Sequence, residues 1–279
     1  MKNIKIIFLL FFIGHSNYLS SQRLPIQLFK DEIKLINLYT DSLKKIPEDS
    51  SKIQLNNKIE DIVESIIMNA SSFNLHLDSL KHVGKIISPD NKFSIITWNV
   101  PLNDGTNKFF GYIQLNPGKD SLCKIFKMKD NSLNTKGNIN EIRFSCNNWY
   151  GSLYYEILPC KTGKETVYTL LGMHYNDLFT TRKIVESMYF NENGSPMFGT
   201  PIYIFNGHKQ SRIVFDYSIS VAMLLRFDSK LNMIVFDHLA PPSPLYSGNY
   251  KFYGPDFSVD GLKFENGNWV YYPNVNFHK

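Results

Sequence analysis

Beyond about residue 83 the sequence alternates apolar and polar residues in short runs, each closed by a turn signal, and this period of two is the strongest constraint on the fold. KFSIITWNVPL is followed by NDGTN and then KFFGYIQL, with Asp104-Gly105 supplying the positive φ that a tight hairpin needs. The pattern returns in SLYYEIL, CKTGKE and TVYTLLGMHY; in KIVESMYF, NENGSP and MFGTPIYIF; and in VAMLLRF, DSKLN and MIVFDHL. DGLKF and NWVYY close the series around Asn266-Gly267. Consecutive strands without crossover helices pair antiparallel, so residues 83–279 are predicted to form an extended antiparallel β meander. A large twisted sheet, a sandwich or a barrel is expected. The alternative is a small β-propeller: Ser88-Pro89-Asp90 before an apolar strand resembles the opening of a propeller blade, although no second copy recurs at a fixed period.

Upstream the period is helical. Leu28, Ile33, Leu35, Ile36, Leu38 and Leu43 recur at helical spacing, and after the break at Pro47 so do Ile53, Leu55, Ile59, Ile62, Val63, Ile66 and Ile67. Residues 22–82 therefore read as a helical N-terminal segment, two antiparallel amphipathic helices with a third short one around Leu75 to His82, packed on the β domain. The class is mainly β, α+β overall.

Residues 1–21 have the layout of a secretory signal peptide: Lys2 and Lys5, the apolar run Ile6 to Ile13, then small polar residues, with cleavage expected between Ser21 and Gln22. The run is shorter than the roughly 20 residues a helical membrane span requires, and no cysteine follows it to carry a lipid. The expected location is the periplasm, the cell surface or the medium, and the protein is expected not to span a membrane. Of the net charge of +5, two units belong to the leader, so no nucleic-acid partner is expected. No Gly-rich phosphate loop, Cys-x-x-Cys or His-x-x-x-His is present, and no cofactor is expected.

Several residues could carry chemistry. Glu156, Glu186, Asp216 and Asp237 lie in strand patterns where an inward carboxylate would be conspicuous, and a facing pair could hydrolyse glycosides. Arg182, Lys183, Arg212 and Arg226 lie in the same strands and offer cross-strand ion pairs instead. His174 is a candidate base. Asp237 and His238 are adjacent, so in a regular strand they point to opposite faces unless the chain bends, which Pro241, Pro242 and Pro244 favour. Asp256 and Asp260 are candidate calcium ligands, although the spacing equally serves turns. Cys146 and Cys160 could form a disulfide across neighbouring strands, leaving Cys123 over, or all three could be buried thiols.

Aromatics are the broader handle. The chain holds 21 Phe and 16 Tyr. Trp149, Tyr150, Tyr154 and Tyr155 form one cluster; Tyr246, Tyr250, Phe252, Tyr253 and Phe257 form another on a Gly/Pro/Ser-rich segment. On loops such side chains stack on sugars or anchor a protein; otherwise they cover sheet faces. Asp41-Ser42-Leu43, Asp78-Ser79-Leu80 and Asp120-Ser121-Leu122 resemble the O-glycosylation acceptor of exported Bacteroidota proteins.

WYGSLYYEI, YTLLGMHYND, TRKIVESMYF, FGTPIYIF, IVFDYS, IVFDHLAP and YGPDFSVDGLKFENGNWVYY resemble a set of exported, functionally uncharacterised Bacteroidota proteins over about residues 85–276. The resemblance implies an envelope location and no chemistry. The expectation is an exported, noncatalytic interaction or envelope module with a protein or glycan partner; the alternative is a carboxylate-dependent, glycoside hydrolase-like enzyme.

Overall fold

The computed structural model describes residues 28–75, 77 and 79–276, so the expected leader and its cleavage point lie outside the described residues. Helices α1 (Lys30–Leu43) and α2 (Asp49–Met68) form the hairpin that the spacing predicts, with Pro47 between them. Among the described residues around Leu75 to His82, where a third short helix is expected, none is helical. A single 3-10 turn at Ala70–Ser72 ends the helical part, capped by the Asn69 side chain, which accepts the Ser71 amide at 2.9 Å.

The strands that follow are β1 (Gly84–Ile87), β2 (Phe93–Pro101), β3 (Asn107–Leu115), β4 (Ile125–Lys129), β5 (Phe144–Ser145), β6 (Leu153–Thr162), β7 (Glu165–Tyr175), β8 (Thr180–Phe190), β9 (Pro196–Phe198), β10 (Tyr203–Phe205), β11 (His208–Gln210), β12 (Arg212–Ser218), β13 (Leu225–Asp228), β14 (Met233–Ala240), β15 (Gly254–Glu265) and β16 (Asn268–Tyr272). They form three sheets, ordered β1-β2-β3-β4, β5-β9-β8-β7-β6 and β11-β10-β16-β15-β14-β13, with β12 on the edge of β8 that β9 leaves uncovered. Neither a closed barrel nor propeller blades occur among the described residues. Pairing is antiparallel throughout these sheets except between β10 and β16, which run parallel with Tyr203 opposite Trp269.

Side-chain alternation stacks the layers. On β2, Ile96, Trp98 and Val100 meet Ile59, Val63 and Ile67 of α2, while Phe93 and Ile95 face the middle sheet. On β7, Tyr168 and Leu170 face the first sheet, and Val167 and Leu171 face the third. The order is thus helices, first sheet, middle sheet, third sheet, and the two inner sheets are covered on both faces. Buried polar contacts fix the layers in register. Trp98 Nε1 donates to Asn56 of α2 at 2.8 Å, and Trp269 Nε1 on β16 donates to Thr169 Oγ1 on β7 at 2.8 Å.

One run that reads as a single strand is divided between sheets. In MFGTPIYIF the chain leaves β9 at Gly199, whose φ of +96° and close approach to the Ile142 carbonyl exclude any Cβ. After this corner β10 belongs to the third sheet.

Candidate functional site

The four acids do not meet at one point: Asp216 and Asp237 line a common recess, whereas Glu156 and Glu186 lie outside it. Glu186 on β8 sits in the interlayer between the first and middle sheets, where it binds the guanidinium of Arg212 through Nε at 2.6 Å and through Nη2, and accepts the Tyr154 hydroxyl. Asp216 binds Arg182 Nε at 2.5 Å, and Arg182 also donates to the Tyr150 hydroxyl at 2.6 Å. Glu156 accepts the Phe227 amide at 3.1 Å; burial raises its pKa, opposed by that amide and the Arg226 charge. Asp237 is buried and accepts the Leu224 amide at 2.8 Å, tying β14 to the segment before β13.

The first aromatic cluster belongs to the core. Trp149, Tyr150 and Tyr154 are 0%, 4% and 4% exposed, which corrects their reading as ligand contacts. A bulge on β6 explains the placement. Tyr155 is an extra residue between Tyr154, opposite Gly172, and Glu156, opposite Leu171, so Tyr154 and Ile157 both turn toward the first sheet. Tyr155 points the other way, donating its hydroxyl to the Leu225 carbonyl at 2.9 Å beneath Lys183 Nζ, 4.5 Å from its ring centroid. His174 is also internal, between the rings of Phe109 and Tyr150 at 4.5 and 5.2 Å, and burial lowers its pKa to about 4.

Cysteine pairing is corrected as well. All three cysteines are free: Cys146 packs between the first and middle sheets, and Cys160 between the middle and third.

What does converge lies where β12 faces β14 and β15. Opposite His238, β15 carries Asp256, Phe257 and Ser258 between the paired residues Pro255 and Val259, whereas β14 has His238 alone between Leu239 and Asp237. This irregularity supplies the bend that an adjacent Asp and His need, and both residues line one recess of about 370 Å³. Its other walls include Phe205, Phe215, Phe236, Tyr250, Tyr253 and Tyr271, together with Asp216 and Asp260. Phe205 and Tyr271 pack at 4.6 Å, and Phe215 and Phe236 at 4.7 Å. Tyr250 and Tyr253, 5.0 Å apart, come from the Pro/Ser/Gly segment, which folds over the β12 edge when the Ser218 amide donates to the Tyr253 carbonyl at 3.0 Å.

His238 is held by Asp260. Nδ1 lies 2.8 Å from Asp260 Oδ2, which also accepts the Tyr271 hydroxyl at 2.8 Å, while Oδ1 accepts the Asn274 amide at 2.9 Å. The Asp260 side chain is 3% exposed and that of His238 is 44% exposed. With Nδ1 engaged by the carboxylate, Nε2 is the other ring nitrogen through which His238 can meet a ligand. Burial, with the Asp260 hydrogen bond, raises the Tyr271 phenol.

Asp256 does not join Asp260. Its Oδ1 accepts the Ser258 amide and hydroxyl at 3.0 and 2.7 Å, closing the turn, and no group of three potential metal ligands exists among the described residues. The pair is a turn acid and a histidine anchor, which corrects the calcium reading.

A larger recess, about 550 Å³, lies beside the N-terminus of α2, lined by Asp49, Ser50, Lys108 and Asp130 among others. Its acids serve the fold: Asp49 binds Lys52 and the Asn103 amide, and Asp130 accepts the Phe109 and Ser132 amides. The smaller recess therefore ranks first on chemistry. Of its residues, sequence reading singled out Asp216, Asp237, His238, Tyr250, Tyr253 and Asp260. It passed over Phe205, Phe215, Phe236 and Tyr271, whose only signal was strand alternation.

Among known proteins, no family model, no curated protein and no solved structure matches this chain.

Proposed function

We propose that this protein is an exported, noncatalytic binding module of the cell envelope that takes a glycan in the recess between β12, β14 and the Tyr250–Tyr253 segment. The carrying observation is the lining itself. Aromatic rings stand beside the half-exposed imidazole of His238, which suits a sugar hydroxyl while the rings suit the apolar faces of pyranoses; Asp260 holds that imidazole and Asp216 holds Arg182. The leader supplies the argument for export. Glycoside hydrolysis would need two facing carboxyl groups free to act as acid and as base or nucleophile. Glu186 and Asp216 are each bound to an arginine, and Glu156 and Asp237 each accept a backbone amide, which supports the noncatalytic reading.

The test is binding of immobilised mono- and oligosaccharides by the purified chain and its Tyr250→Ala variant. Binding that falls at least tenfold on substitution, with no new reducing ends released, supports the proposal. Unchanged binding in the variant, or release of reducing ends by the wild type, overturns it.

A further inference from the structure

A second recess, about 400 Å³, adjoins the first, and Tyr250 and Asp216 line both. Its remaining walls are Asn176, Asp177, Phe179, Thr180, Arg182, Gly248, Asn249 and Lys251, in which two cations balance two acids with Asp216 counted. The character is neutral, rich in amide and hydroxyl groups, and carries an exposed ring at Phe179. Tyr250, common to both, is 46% exposed.

Resting on the glycan-binding reading above, we infer that the ligand is a linear, uncharged oligosaccharide of at least two sugar units, one in each recess, running across Tyr250. Three features support this. A tyrosine shared by two recesses offers one ring to two consecutive sugars, or to the link between them. The second recess adds hydrogen-bonding groups without net charge, which suits hydroxyls better than a carboxylate or sulfate. The Asn249 side chain makes no hydrogen bond to the described residues and sits on the exposed segment that also carries Tyr250, so its amide is available to a ligand.

The two sites also differ in what holds them. The first is built on strands, with His238 fixed by Asp260. The second is closed by the 248–251 segment, where Gly248 takes a φ of +78° and its amide donates to the Tyr253 hydroxyl at 3.0 Å. Ligand discrimination is thereby divided. The strand-built recess sets which sugar enters, and the loop-closed recess rewards chain length.

The experiment is calorimetric titration of the purified chain with matched series of gluco-, manno-, xylo- and N-acetylglucosamine oligosaccharides from one to six units. Affinity in the recognised series is expected to rise at least tenfold from one unit to two or three and then level off. Asn249→Ala is expected to reduce that gain about threefold or more, and Tyr250→Ala to weaken monosaccharide and oligosaccharide binding alike. A monosaccharide bound as tightly as its trisaccharide, with Asn249→Ala silent, overturns the two-recess inference and leaves the single-site reading standing. Absence of binding by the wild type in every series overturns both.

Discussion

Arg212 on β12 and Glu186 on β8 are directly opposite each other in the ladder, and their side chains are 0% and 2% exposed. Arg212 also donates through Nη1 to the carbonyls of Ile139 and Ile142 and lies over the Phe144 ring, 4.7 Å from its centroid. One guanidinium thus joins an edge strand, the middle of the sheet and the segment leading into β5. Removing it would leave Glu186 charged without its counterion in an apolar layer. Arg212→Met is expected to lower unfolding free energy by about 3–5 kcal/mol. Replacing the pair together, Glu186→Leu with Arg212→Met, should cost clearly less than the two single changes combined. Urea unfolding of the three variants measures both, and additive costs would refute the coupling.

His174 gives the molecule an acid-sensitive interior. Its Nδ1 lies 2.9 Å from the Gly151 carbonyl, the ring is sandwiched by Phe109 and Tyr150, and burial brings its pKa from 6.5 to about 4. The unfolded chain therefore takes up a proton at this residue before the folded chain does. The stability contributed by the neutral ring is present above about 6.5 and is lost as pH falls toward about 4, with a total of about 3 kcal/mol. A His174→Phe variant keeps the stack and loses the titration. Wild type is expected to exceed it in stability at pH 7.5, and that advantage should shrink by about 3 kcal/mol at pH 4. An advantage independent of pH would show that His174 does not titrate on unfolding.

The thiols provide a check on how the sheets are joined. Cys123 and Cys160 are buried, and burial pushes Cys146 up to about 12, so little thiolate is available in the folded state. Thiol titration under nonreducing conditions should find negligible rapid reaction at pH 8 and three thiols per chain after denaturation. A single thiol on denaturation would mean that two of the cysteines are bonded.

Much of the fold was legible because local chemistry and tertiary packing agree. Asn266 and Gly267 have φ values of +49° and +80°, the pair that a two-residue hairpin requires, and the β15–β16 register follows from them. The Arg182–Asp216 and Arg212–Glu186 contacts likewise fall on directly opposed residues, where strand neighbours were expected to pair. Layer assignment was not legible. Trp149 and Tyr154 look the same in a sequence whether a sheet face meets water or another sheet, and here the middle sheet is covered twice. The site was hidden for a different reason. His238 and Asp260 are 22 residues apart and meet only because β14 and β15 pair, and Asp237 and His238 share a recess only because the pairing slips between them. Neither register slip has a glycine or proline at its centre to announce it.

The slip also stores strain at Phe257, which takes a φ of +74° while its side chain is 93% exposed. A bulky L-residue is disfavoured in that region, and the exposed ring buries too little surface to compensate. Glycine removes the Cβ that creates the conflict, at the cost of greater freedom in the unfolded chain. Alanine keeps the Cβ and serves as the control for loss of the ring. Phe257→Gly is therefore expected to be more stable than Phe257→Ala by about 1 kcal/mol, the reverse of the order found in an ordinary strand, where Ala exceeds Gly by about 0.5–1 kcal/mol. Because Phe257 lies in the unpaired stretch of β15 between the partners of Asp237 and Leu239, the Gly variant would also loosen the element that bends β14. Its affinity for the recognised saccharide should fall while its melting temperature rises. A variant that is both less stable than Phe257→Ala and unaltered in binding would remove any role for strain at this position.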